Sequence, residues 1–278
     1  MKKIAVITMV RNDLFFLEKW VDYYSRQFGA ENLYIFFDGK DQEVPEFCRG
    51  CNCTVVDKIG TNVVNSDKGR IRFVSQQAKR LFEQGYEIVI GGDADEYLVV
   101  DPAEGKTLAE YLSDSKLPKT ISGLGLDFGQ RLGEETDLKL TDPFLSQRRY
   151  ARIGTRYTKA TVLTTPLEWG SGFHRVEGRN FHIDPHLYLL HFGYSDLRMI
   201  QGRIRDNDRL KQGWKHHIEK RRKTIDYVTM LEPRDFDRTT KMARKIERLV
   251  RPPYAWNKPG LLGLKLTVKL PERFENVL

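Results

Sequence analysis

Long apolar runs are missing from this chain. No segment of its 278 residues approaches the roughly 20 consecutive apolar residues that a membrane-spanning helix needs. The opening Met1-Lys2-Lys3-Ile4-Ala5-Val6-Ile7 is too short for the apolar core of a signal peptide, and it runs into Arg11-Asn12-Asp13 without a small-residue cleavage site. It is expected to be a first strand, and the chain is expected to work in the cytoplasm. Cysteine is scarce: Cys48, Cys51 and Cys53 are the only three, all within six residues. A structural zinc site built on them would lack its fourth cysteine, and a reducing compartment disfavours a disulfide there. Glycine is absent from Thr8-Met9-Val10-Arg11-Asn12, where a nucleotidyltransferase would carry a Gly-rich phosphate loop after its first strand. Internal repeats and low-complexity tracts are absent too. So are the zinc-finger, RNP and KH signatures of nucleic-acid binding modules.

What is present suits a folded domain with a basic end. Hydrophobic residues make up 40% of the chain and charged residues 30%, enough for a core under a charged surface. The formal net charge is +8, unevenly spread: from Lys241 onward nine Lys and Arg face only Glu247, Glu272 and Glu275. Such a tail favours phosphates, an anionic membrane surface or nucleic acid. Within it, Arg251-Pro252-Pro253-Tyr254-Ala255-Trp256 leads to Leu261-Leu262-Gly263-Leu264-Lys265-Leu266, a mixture that can dock on anionic lipid. Leu231-Glu232-Pro233 marks a boundary, dividing a domain over 1–230 from a helical basic C-terminal extension over 231–278.

Periodicity gives the layout. Lys3 to Val10 is a continuous apolar strand. Leu17, Trp20, Val21, Tyr24 and Phe28 follow at helical spacing, ending at Gly29. Strands are expected at Leu33–Phe37 and Thr54–Asp57. A second helix carries Ile71, Val74, Ala78, Leu81 and Phe82, and a further strand covers Glu87–Ile90. This β-α-β-β-α-β order predicts an α/β fold with parallel strands under helices. A short helix before Leu117, strands at Lys119–Leu126, Ala160–Thr164 and Leu187–Phe192, and a polar helix from Ser195 to about Met230 complete the pattern. Pro185 is expected to hold His182-Ile183-Asp184-Pro185-His186 in a loop. A separate metal site at His182, Asp184 and His186 is the alternative there.

The most informative stretch is Gly91-Gly92-Asp93-Ala94-Asp95-Glu96-Tyr97, directly after the buried run Ile88-Val89-Ile90. Open α/β sheets bind ligands at the C-terminal ends of their strands. Two carboxylates flanking one residue there can face one hard divalent cation, with a diphosphate completing the shell. An ordinary acidic turn is the plainer reading of the motif taken alone.

Further segments carry a resemblance. Met9-Val10-Arg11-Asn12-Asp13-Leu14 leading to Leu17-Glu18-Lys19-Trp20 is similar to an opening "KNE…LxEW". Asn32 to Gly39 is similar to a strand ending in an acidic residue, and Asp93-Ala94-Asp95-Glu96-Tyr97 to "DxDEF". Leu126-Asp127-Phe128-Gly129 and His191-Phe192-Gly193-Tyr194-Ser195 are similar to two later motifs. In this order, over roughly residues 3 to 215, the chain resembles the GT-A glycosyltransferases, and within them the bacterial family 2-like group related to family 92. Tyr194 departs from the pattern, standing where a Lys is common.

The resemblance implies a GT-A, Rossmann-like fold with a mixed, mostly parallel sheet flanked by helices. It implies transfer of a sugar from a nucleotide-sugar donor, a UDP-sugar by analogy, to a glycan or lipid-linked acceptor in bacterial polysaccharide or glycoconjugate synthesis. Inversion of configuration and Mn²⁺ or Mg²⁺ dependence follow by the same analogy. Asp93, Asp95 and His191 would hold the metal, and Asp93 alternatively the ribose. Arg11, Asp38, Lys68, Arg70 and Arg72 would meet the nucleotide or its diphosphate. An inverting transfer needs a carboxylate to deprotonate the acceptor; Glu168 is the first candidate, beside Trp169 in a Gly-rich loop, with Asp127 and Asp184 behind it. His174 would meet acceptor or phosphate. Peripheral contact with the inner face of the membrane is expected and nucleic acid is not. A basic protein that binds nucleic acid or a membrane surface, on an inactive scaffold of the same kind, is the competing reading.

Overall fold

The computed structural model describes residues 1–60, 63–114, 116–205, 215–250 and 263–278. The first strand, β1 (Ile4–Val10), is buried along its whole length because both its faces are covered. Its side chains alternate: Ile4, Val6 and Val10 join a core under helix α1 (Leu14–Phe28), while Ala5, Ile7 and Met9 face helix α2 (Val63–Glu83). A strand's two-residue period produces that division. Helix α1 buries Phe16, Leu17, Trp20, Val21, Tyr23 and Tyr24, and ends at Gly29 with φ 84, where a Cβ would be strained. Helix α2 begins earlier than its apolar stripe predicts, because Asn65 to Arg70 carry no apolar side chain to mark it.

Strands β2 (Leu33–Asp38), β3 (Asn52–Val56) and β4 (Ile88–Gly91) complete a parallel unit in the order β3-β2-β1-β4. The chain departs from β1 to one side for β2 and β3, and to the other for β4. The strand order therefore reverses between β1 and β4. The α/β class and the helix-flanked mixed sheet expected from the sequence are those of the structure.

The rest of the sheet is antiparallel in part. Strand β5 (Glu96–Val100) follows the acidic motif at once, where sequence periodicity gave no strand. After helix α3 (Leu108–Asp114) come β6 (Thr120–Phe128), helix α4 (Phe144–Gln147), β7 (Tyr150–Ile153) and β8 (Val162–Leu163). Strands β9 (Trp169–Gly170) and β10 (Arg175–Val176) form a small separate hairpin. Strand β11 (Ile183–His191) lies antiparallel to β5 and parallel to β6. It runs straight through Pro185, correcting the loop expected there: the register with β6 shifts between Ile183 and Tyr188, and this irregularity accommodates the missing N–H.

Of the polar helix expected from Ser195 to Met230, the described residues form α5 (Leu197–Arg205) and α6 (Lys215–Met230). Beyond residue 231, helix α7 (Phe236–Leu249) packs Ala243 and Phe236 into the main core, and β12 (Thr267–Lys269) pairs with β7. Asp235 caps α7, accepting from the Arg238 N–H at 2.8 Å. The lipid-docking stretch 251–256, with 261 and 262, lies outside the described residues. No helix among the described residues is long and apolar enough to cross a membrane.

Candidate active site

Register builds the site. His191 on β11 lies opposite Glu96 on β5 and opposite Asp127 on β6, so the three point to one face in a row. The turn from β4 to β5 is closed by the Glu96 N–H donating to the Asp93 carbonyl at 3.0 Å. The Asp95 carbonyl accepts from the Phe192 N–H at 2.9 Å, fixing that turn against the end of β11. As a result, one oxygen each from Asp95 and Glu96 and one nitrogen of His191 lie within 4.8 Å of one another. His191 Nε2 is 3.7 Å from Asp95 Oδ2.

Gly193 makes the approach possible. A Cβ built there would lie 2.0 Å from Asp95 Oδ2 and 3.0 Å from His191 Nε2. Tyr157 stacks on the imidazole at 3.9 Å between ring centroids.

The loop bearing Tyr157 also brings Lys159, which the sequence reading missed. This loop crosses β6 at Gly125, where a Cβ would meet backbone atoms of Gly154, Tyr157 and Thr158 at 2.4–2.5 Å. The Gly125 N–H donates to Thr158 Oγ1 at 3.0 Å, locking the crossing. The available signal was the pair Gly123 and Gly125 inside an apolar strand, a mark of close backbone approach.

Lys159 is 2% exposed and donates to Glu96 Oε1 at 2.5 Å and to Asp93 Oδ2 at 3.4 Å. Arg70 reaches the other side of Asp93, at 3.3 Å from Oδ1, and also donates to the Met9 carbonyl at 2.9 Å. Asp93 is therefore turned toward two cations, and Glu96, rather than the expected Asp93, lies with Asp95 and His191 in the group that could hold a metal ion.

Charge balance follows from this packing. Arg70 and Lys159 pair with Asp93 and Glu96, while Asp95 and Asp127 face His191. Burial opposes ionisation of Asp93, but Lys159 and Arg70 outweigh it and hold its pKa at about 2. Glu96 goes the other way. Burial lifts its pKa to about 7; Lys159 offsets part of this, and Asp93 and Asp95 add to it. Burial also disfavours the charge on Lys159, but Glu96 and Asp93 raise its pKa overall. Glu96 Oε2 is buried with no hydrogen-bond partner. An orphaned carboxylate oxygen beside a second carboxylate and an imidazole is a donor set that fits Mn²⁺ or Mg²⁺.

The other predicted residues fall in different places. Lys68 and Arg72 are four residues apart on the exposed face of α2, and Arg70, between them, is on the opposite face turned inward. Arg11 donates to the Asp38 carbonyl at 2.6 Å and grips Asp41 at 2.6 and 2.8 Å. Asp38 Oδ1 accepts from the Ile59 N–H at 2.7 Å. These two residues tie together the loops after β2 and β3, beside the end of β1. Asn12, two residues past β1, has φ 51, a left-handed conformation held by its N–H donating to Gln42 Oε1 at 3.0 Å.

Both Asp127 oxygens are engaged, by His191 Nδ1 at 2.7 Å and Thr224 Oγ1 at 2.5 Å. Glu168 lies on the surface, next to the β9–β10 hairpin. The neighbouring Trp169 ring packs on Gly91, where a Cβ would lie 2.6 Å from it. Nδ1 of His174 lies 2.8 Å from the Arg156 carbonyl, and its field also favours the Asp93 anion. Asp184 accepts from Tyr111 and from the backbone of residues 186 and 187, while His186 pairs with Glu104. The alternative site at 182–186 therefore does not assemble: the only metal-type cluster among the described residues is Asp95, Glu96 and His191.

No family model matches this chain, and no curated protein matches its sequence. It is similar to a solved structure described as a putative nucleotide-diphospho-sugar transferase from Desulfovibrio desulfuricans. The two are 13% identical with a TM-score of 0.28, over 45% of this chain and 59% of that one. It is also similar to a mannose-1-phosphate geranyltransferase from Thermus thermophilus, at 12% identity and a TM-score of 0.32, over 82% of this chain and 71% of that one. The matched region thus spans under two thirds of the first neighbour's length. Similarity this slight assigns neither substrate nor site.

Proposed function

We propose that this chain is a GT-A glycosyltransferase of the family 2-like group, dependent on a divalent metal. It would move a sugar from a nucleoside-diphosphate donor, a UDP-sugar by resemblance, to a glycan or lipid-linked acceptor with inversion. The observation that carries this reading is one convergence. Asp95, Glu96 and His191 gather with Arg70 and Lys159 where the strand order reverses between β1 and β4, which is where open α/β sheets take ligands.

Asp95, Glu96 and His191 would hold Mn²⁺ or Mg²⁺. When bound, the metal would neutralise the charge of the diphosphate leaving group. Arg70 and Lys159 add fixed positive charge beside that position, and Asp93 orients both. With its side chain aimed at these cations, Asp93 would face the ribose or diphosphate. Arg11 and Asp38 would frame the nucleoside, because they set the loop positions at the ends of β1 and β2. Lys68 and Arg72, on the open face of α2, would act on the donor only through its surrounding field.

An inverting reaction requires a carboxylate with a free oxygen toward the acceptor hydroxyl. Glu168 remains the candidate: it lies on the surface, and the hairpin it leads into places Trp169 over the end of β4. Asp127 is less suited, since each of its oxygens already accepts a hydrogen bond. A lipid-linked acceptor would suit the basic residues from 241 onward, with the enzyme docked peripherally at the inner membrane face.

The test is sugar release or transfer from a panel of UDP-, GDP- and dTDP-sugars, with Mn²⁺ and with EDTA. Metal-dependent turnover of one donor that disappears in Asp95→Ala supports the proposal. Turnover unchanged by EDTA and by Asp95→Ala would refute it.

A further inference from the structure

We infer that Asp127 is a positioning residue: with Thr224, it fixes the tautomer of His191 so that the bare Nε2 faces Asp95. Its consequence for metal uptake rests on the function proposed above; the tautomer itself does not.

The geometry starts from the sheet. The parallel register of β6 and β11 places Asp127 beside His191, and Asp127 Oδ1 lies 2.7 Å from His191 Nδ1. The second oxygen, Oδ2, accepts from Thr224 Oγ1 at 2.5 Å. Asp127 is 5% exposed and His191 4%, so water offers neither group an easy substitute partner. An ionised carboxylate can only accept. The hydrogen between Asp127 and His191 must therefore sit on Nδ1, and the neutral ring then has its lone pair on Nε2.

That lone pair points at another acceptor. Nε2 is 3.7 Å from Asp95 Oδ2, and in this tautomer no proton lies between them. Two acceptors held face to face suit a shared cation and are repulsive without one. The ring cannot easily turn away, because Tyr157 stacks on it at an interplanar angle of 17°. Carboxylates behind metal-bound histidines commonly do this work: they set the tautomer and the ring orientation.

The Thr224 contact adds a second element. Helix α6 presses its backbone onto the end of β6 at Gly129, where a Cβ would lie 3.1 Å from Ile225 N and Thr224 C. Glycine at 129 lets α6 approach closely enough for Thr224 to reach Asp127. The seating of α6 is thereby coupled to the orientation of His191.

The experiment reads the tautomer directly. Protein labelled with ¹⁵N-histidine is recorded in EDTA at about pH 8, where an ordinary imidazole is neutral. Two-bond ¹H–¹⁵N correlations distinguish Nδ1–H from Nε2–H, and His191→Gln identifies the resonance. The wild-type protein should show His191 as Nδ1–H. In Asp127→Asn, whose amide can donate to Nδ1, an Nε2–H population should appear and Mn²⁺ affinity should fall by roughly 10–100-fold. A wild-type Nε2–H pattern overturns the inference. So does an Asp127→Asn protein that keeps the wild-type ring pattern. The wild-type spectrum needs no variant, so the claim stays testable if Asp127→Asn fails to fold. Wild-type protein with the Nδ1–H pattern that takes up no Mn²⁺ overturns the metal reading alone and leaves the role of Asp127 standing.

Discussion

Glu96 offers a perturbation whose size can be worked out beforehand. Its carboxyl is 2% exposed and sits between Asp93, Asp95 and Lys159. Burial lifts its pKa from 4.5 to about 7 in the folded chain. For an acid, a raised pKa means the folded state holds the proton more tightly than the unfolded state. Stability from this group is therefore greatest at low pH and declines as pH rises from about 4.5 to about 7. The full decline is about 3 kcal/mol at roughly 1.4 kcal/mol per tenfold, most of it between pH 5 and pH 8. Glu96→Gln keeps the shape and removes the titration. Urea unfolding of both proteins in EDTA at several pH values reads the effect, since Glu96 is the one titrating group removed. The stability of the wild type relative to Glu96→Gln should drop by roughly 2–3 kcal/mol from pH 5 to pH 8. A flat difference, or one rising with pH, would refute the reasoning.

Other perturbations read the packing of the site. Gly193→Ala pushes a methyl into Asp95 Oδ2, the tip of a movable side chain; calorimetry should show Mn²⁺ affinity down by roughly tenfold or more while thermal unfolding stays close to wild type. Gly125→Ala instead meets backbone at 2.4 Å, so it should cost about 1–3 kcal/mol in chemical unfolding and weaken Mn²⁺ binding by moving the Tyr157–Lys159 loop. Asp196→Ala strips the partner from Arg148, in an ion pair of 3.0 Å with both side chains 0% exposed, and should cost about 3–5 kcal/mol of stability in urea unfolding.

The parallel half of the sheet was legible because β1, β2 and β4 are short apolar runs and its helices carry stripes at 3.6-residue spacing. The start of β5 was not, because Glu96 opens it with a charge whose compensation comes from Lys159, 63 residues away. Asp95 and His191 could be named from motifs, and the structure brings them to 3.7 Å. The exchange of Asp93 for Glu96 in the trio could not, since it depends on which carboxylate Arg70 and Lys159 capture. Lys68 and Arg72 looked equivalent to Arg70 in a basic run; helical phase alone separates them. Asp127 read as a candidate base because neither the register with His191 nor the reach of Thr224 from α6 is written in local sequence.

Calorimetric binding of a nucleotide-sugar panel to the full chain, with and without Mn²⁺ and repeated on Asp95→Ala, tests the metal-dependent donor site. One donor should bind only with Mn²⁺, and its binding should be lost in the variant. Binding of no donor by folded wild-type protein, or binding indifferent to both Mn²⁺ and Asp95, would contradict it.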